Sequence, residues 1–195
     1  MIISKESRIN NDISSSFTML KELLGVGRGT SDARTEMKLL RESSIVDNKC
    51  PYCGRQGVDR STRRSEACIE CANRIDRMLV MKSKILRASA PIKPDKAFDT
   101  FVNDYESLKY VPISLGGADN TEQIIEACHK YIAANKELHD YRHEQNRQRI
   151  AKNLKDRRMA QLRVEYSRYQ DQMSEEEFNE VLECQYVQRY ARDII

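Results

Sequence analysis

Apolar residues recur along this chain at steps of three and four, the spacing of one helix face, and rarely alternate as they would in a half-buried strand. Ile9, Ile13, Phe17, Leu20 and Leu24 set the pattern. Gly25 follows as a predicted C-cap, and the turn Gly25-Val26-Gly27-Arg28-Gly29 leads into a second helix. There Ser31 is the predicted cap, with Met37 and Leu40 on one face. No buried strand precedes the glycines and no Gly-Lys-Ser/Thr follows them, so they read as a plain turn and not a phosphate cradle. Ile75, Leu79, Lys82 and Leu86 mark a further helix. After it, Ser89-Ala90-Pro91-Ile92-Lys93-Pro94-Asp95 reads as an extended linker. Residues 137–195 contain neither Gly nor Pro and read as helical, with Ser174-Glu175-Glu176-Glu177 as a capping box that starts a separate last helix. Four segments result: a helical region over 1–48, a cysteine-bearing module over 49–88, a compact mixed segment over 97–136, and a charged helical region over 137–195.

Composition narrows the class. Of 195 residues, 39% are hydrophobic, 7% aromatic and 32% charged, with no Trp, which argues against a large all-β core. The longest aliphatic run, Met78-Leu79-Val80-Met81, is far short of the ~18 residues a membrane span needs. The start, Met1-Ile2-Ile3-Ser4-Lys5-Glu6, meets charge at once and has no signal-peptide core. No membrane association and a cytoplasmic location are expected. Net charge is +3, but it is unevenly spread. Residues 142–168 carry a net +6 and residues 171–195 a net −5. Ile150, Leu154, Leu162, Tyr166 and Tyr169 fall on one predicted stripe of the basic stretch. Two uses fit: binding phosphates through Arg147, Lys155 and Arg158, or docking on the acidic last helix.

Six cysteines sharpen the picture. Cys50-Pro51-Tyr52-Cys53-Gly54 and Cys68-Ile69-Glu70-Cys71 stand fourteen residues apart. Cys-x-x-Cys-Gly forms a turn that aims two thiolates at one cation, and a spacer of this length suits a hairpin that returns the second pair at a helix N-terminus. A closed tetrahedral site of Cys50, Cys53, Cys68 and Cys71 holding structural zinc is the expectation. A redox dithiol requires only one pair, and a catalytic zinc requires an open position that four sulfurs do not leave. Cys184, beside Val181, Leu182 and Tyr186, is expected to be a small core residue. Arg55, Arg60, Arg63 and Arg64, between the pairs, form a basic loop that favours a nucleic-acid role.

Residues 110–128, Tyr110-Val111-Pro112-Ile113-Ser114-Leu115-Gly116-Gly117 through Gln123-Ile124 to Cys128, together with the Cys-Pro-Tyr-Cys-Gly turn, resemble the HNH endonuclease family. The likeness covers under a fifth of the chain. It implies a ββα unit with a general-base His just before Pro112, an orienting Asn five residues before Cys128, and a second cysteine at 131. Here Lys109 and Tyr110, Gln123 and Tyr131 occupy those positions, and Ile132 stands near the family's last metal ligand. Tyrosine, with a pKa of about 10, is a poor base at neutral pH, and a protonated Lys109 can only hold a phosphate. Of the three histidines, His139 and His143 share a helix face that reads as solvated, and His129 completes the set. The fold expected is therefore α+β but mostly helical: a small zinc-bound treble-clef, HNH-like ββα core with helical extensions at both ends.

The function expected is a nucleic-acid-binding or regulatory zinc protein with no catalytic residue assigned, DNA being favoured over RNA. The resemblance implies an origin in a phage or mobile element, and hence the host cytoplasm. Two alternatives stay open. One is an active HNH-type nuclease with displaced catalytic groups; the other is an interaction factor for a host protein complex such as polymerase or ribosome.

Overall fold

A computed structural model describes residues 4–26 and 30–190; most of the predicted glycine turn, Gly27 to Gly29, lies outside the described residues. The chain forms two compact units, Met1–His139 and Asp140–Ile195. Among the described residues, six α-helices carry the fold: α1 (Lys5–Gly25), α2 (Thr30–Asp47), α3 (Ile69–Arg87), α4 (Lys96–Ser107), α5 (Thr121–Glu165) and α6 (Glu175–Tyr190).

The expected ββα core is absent, and the described chain is nearly all-helical. Among the described residues the β-structure consists of two isolated antiparallel bridges, Lys49 with Gln56 and Arg60 with Cys68. The physical reason lies in the side chains. The spacer between the cysteine pairs has no alternating apolar positions, so a hairpin there has no face to bury. The stretch Leu108–Pro112 also finds no strand to pair with. Its Lys109 N–H donates to the Tyr52 carbonyl at 2.8 Å, and the Ile113 N–H donates to the Glu36 carboxylate at 2.9 Å. A single turn of 3-10 helix, Ile113–Leu115, then closes at Gly116 with φ +112°. A β-carbon there would sit 2.8 Å from Ile124 Cδ1, so both the backbone and the packing require glycine.

In the first unit α1 buries Ile9, Ile13, Phe17, Leu20 and Leu24, the residues its periodicity selects. Ser4 caps it, accepting the Ser7 N–H at 3.2 Å. Gly25 belongs to the helix and Val26 is its C-cap. Helix α2 departs further: it already includes Thr30, so Ser31 is not its cap, and Met37 is exposed while Glu36 and Ser44 are buried. In α3 the buried face is Cys71, Ala72, Ile75, Met78, Met81 and Ile85. Leu79, Lys82 and Leu86 are only half-buried, so the face is rotated by about one residue from the expected one. The two-proline linker forms neither helix nor strand and bends at Ser89 and Ala90; it ends at Asp95, whose carboxylate caps α4 by accepting the Phe98 N–H at 3.0 Å. Tyr131, at the position where the HNH likeness places a cysteine, is fully buried. Its ring packs on Phe17 and Phe98, with centroids 5.3 and 5.6 Å away.

In the second unit, Leu162, Phe178, Leu182 and Tyr186 form a small core, with Met159, Tyr166, Met173 and Tyr190 around it. The predicted capping box is present: Glu177 N–H donates to Ser174 Oγ at 3.3 Å and Ser174 N–H to Glu177 Oε2 at 2.8 Å. The single stripe read from the sequence splits in two. Leu162 is buried, but Ile150 and Leu154 are exposed, because they lie about 100° around the helix from it at 3.6 residues per turn. Tyr169 falls in the 3-10 segment Ser167–Gln172 instead of on α5. Cys184, expected in the core, is exposed.

Candidate metal centre

The first cysteine pair sits on a tight turn. Gly54 N–H donates to the Cys50 carbonyl at 2.7 Å, and Cys50 N–H to the Arg55 carbonyl at 2.8 Å. Gly54 has φ +75°, a backbone conformation that costs other residues energy. The second pair opens α3, with Cys68 as N-cap. Its Sγ accepts the Cys71 N–H at 3.4 Å, and its own N–H points at Cys50 Sγ, 3.5 Å away. The N-terminal N–H groups and dipole of α3 therefore face the sulfurs, where negative charge is stabilised.

All four ligand atoms lie within 4.8 Å of one another, and Cys53 Sγ to Cys68 Sγ is 3.9 Å. All four cysteines are free of disulfides. A tetrahedral zinc site with Zn–S bonds of about 2.3 Å has sulfur–sulfur edges of about 3.8 Å. The spacing thus fits a metal-sized tetrahedron and is far longer than the ~2.05 Å of a disulfide. Cys50, Cys68 and Cys71 are buried and Cys53 is half-buried. Burial pushes the Cys50 thiol up, but the N–H groups of Cys68, Cys53 and Tyr52 pull it down, and the net shift is downward. Burial dominates at Cys68 and Cys71, whose thiols are pushed up; neighbouring sulfurs add to this at Cys71, while at Cys68 the Cys71 N–H and thiol offset part of it. A divalent cation is the group that would relieve this crowding, displacing the thiol protons as it binds.

The arginines of the spacer are not an unpartnered basic patch. Arg55 pairs with Glu70 at 2.6 Å. Arg60 reaches Ser44, its Nη1 lying 2.7 Å from Oγ and its Nη2 donating to the Ser44 carbonyl. Arg63 and Arg64 both reach Asp76, at 3.5 and 3.0 Å. These contacts hold the spacer to α2 and α3, and explain why it is ordered without a sheet. Lys109 packs against the first cysteine turn: a β-carbon on Gly54 would come within 3.2 Å of its Nζ. In the second unit, Lys155 pairs with Glu183 at 3.0 Å, and the Arg158 guanidinium stacks 4.3 Å above the Tyr190 ring. Arg147 is exposed, with Glu144 only distantly at 3.9 Å.

The turn that follows Pro112 is anchored by a residue the sequence did not single out. Glu36 is buried and accepts both the Tyr110 hydroxyl and the Ile113 N–H. Nothing in α2's pattern marks a glutamate as an inward residue. Cys128 is buried away from the metal ligands, and burial pushes its thiol up to about 12. His129 is 2.9 Å from Glu106, and His139 and His143 are exposed. Among the described residues, the four-cysteine cluster is the group able to hold a metal ion, and no described helix is long and apolar enough to cross a membrane. Comparison with protein-family models, curated proteins and solved structures returns no match.

Proposed function

We propose that this chain is a non-catalytic nucleic-acid-binding protein in which Cys50, Cys53, Cys68 and Cys71 hold one structural zinc ion. The binding half of this reading is carried by α5, where every residue from Arg142 to Leu154 is exposed. That stretch holds four basic residues and one acid. A helix exposed on all sides gains nothing from internal packing, and its charge suits a polyanion. Arg149 and Lys152 are the residues assigned to phosphate contact, since neither has an acidic partner among the described residues. Lys155 and Arg158, engaged with α6, serve the fold instead. The metal ties the cysteine turn to the start of α3, and four sulfurs leave no position for a reacting water.

Metal analysis of the purified protein should give close to one zinc per chain. Binding of a labelled DNA duplex, followed by fluorescence anisotropy, should weaken steeply with salt. The double variant Arg149→Gln/Lys152→Gln should flatten the log–log slope by up to about 2 and leave the helical content unchanged. An unchanged slope and affinity would remove the nucleic-acid reading. A single-stranded RNA of equal length, run in parallel, decides between DNA and RNA.

A further inference from the structure

We propose that the chain self-associates through its second unit, the outer face of α6 in one copy docking on the apolar–basic face of α5 in another. On α5, Arg147, Ile150, Leu154 and Arg157 follow at steps of three, four and three, and so share one face. Ile150 is 57% exposed and Leu154 40%. With Asn153 and Arg157 they line a shallow hollow of about 220 Å³. Two large aliphatic side chains, flanked by two guanidinium groups, are a poor match for a phosphate backbone and a good one for an acidic helix.

Such a helix is present in the same chain. Glu176, Glu180, Cys184 and Val187 recur on α6 at steps of four, four and three, all exposed, on the side away from the buried Phe178, Leu182 and Tyr186. Val187 is 50% exposed. Arg157, Glu176 and Glu180 have no ion-pair partner among the described residues. Charge decides how copies can pair. The α5 face set against itself brings guanidinium groups together, and the α6 face set against itself brings carboxylates together. Only the crossed arrangement sets opposite charges against each other and apolar against apolar. Laid antiparallel, Arg157 comes level with Glu176 and Glu180, while Ile150 and Leu154 meet Cys184 and Val187. A two-fold axis makes this contact twice, and it leaves Arg149 and Lys152 outside the interface. Each patch is small, so the dimer belongs to the weak class of interfaces.

Sedimentation equilibrium of the full-length, metal-loaded protein, without nucleic acid, tests this independently of the function proposed above. The expected result is a monomer–dimer equilibrium in the micromolar range at low salt, weakened at least about tenfold at high salt as screening removes the charge pairs. Arg157→Glu and Glu180→Arg should each be monomeric, and an equimolar mixture of the two should dimerise again, because both crossed contacts then carry opposite charges. Alkylation of Cys184 should slow as protein concentration passes through the dimer range. A chain that stays monomeric at low salt overturns the proposal. So does a dimer indifferent to either charge reversal, or a mixture that fails to recover.

Discussion

Replacing Cys68 by serine separates two jobs that the residue does. As N-cap of α3 it accepts the Cys71 N–H through its side chain, and serine is among the best residues for that role. Capping is therefore retained in Cys68→Ser, and any loss reports metal ligation. Structural zinc sites supply on the order of 10–16 kcal/mol, so one of four equivalent sulfurs accounts for roughly 3 kcal/mol, or about a hundredfold in affinity. Because the ion binds only the folded chain, stability falls with the weakened affinity by mass action. The assay is competition with a zinc chelator, followed by thermal unfolding of the metal-loaded and stripped proteins. Cys68→Ser should lose metal about a hundredfold more readily than the wild type. Cys128→Ser, at a buried site outside the cluster, should cost packing energy and keep the full metal content. If Cys128→Ser strips the metal while Cys68→Ser retains it, the second ligand pair has been misassigned.

Other perturbations test the surrounding structure. In metal-free protein the folded state holds the Cys71 proton more tightly than an unfolded thiol with its ordinary value of 9.0; this contribution is whole below that pH and is lost above it. Metal binding has the opposite sign because each thiol must release its proton, so chelator competition between about pH 6 and about pH 8 should show tighter binding as pH rises. Leu162→Ala removes a fully buried side chain from a small core and should cost about 2–5 kcal/mol, read as early melting of the second unit. Arg77→Met leaves the Asp104 carboxylate, which now accepts from Arg77 at 2.9 and 3.0 Å, buried without its partner. About 2 kcal/mol is expected by urea denaturation, reduced from a fully buried pair because Arg77 is half-exposed. Supercoiled plasmid incubated with Mg²⁺ or Mn²⁺ should stay uncut, since the Tyr110 hydroxyl is committed to Glu36; cutting abolished by His129→Ala would reverse this.

Much of this protein is legible in its sequence, wherever the determining forces are local. The buried stripe of α1, the capping box at Ser174 and the convergence of the two cysteine pairs each follow from spacing within a few turns of chain. A Cys-x-x-Cys-Gly turn and a helix N-terminus place thiols by backbone geometry alone, so four sulfurs could be assigned to one cluster without knowing the rest of the fold. Tertiary structure decided what depends on partners distant in sequence. A ββα core was expected from turn sequences, but a strand forms only where another strand supplies its hydrogen bonds. Here the Lys109 and Ile113 N–H groups found Tyr52 and Glu36 instead. The same holds for charge. Counting the arginines of the spacer suggested a basic patch, and the fold spends them on Ser44, Glu70 and Asp76. The α5 stripe divided because Ile150 and Leu154 lie about 100° around the helix from Leu162, and only the packing of α6 decides which side is covered.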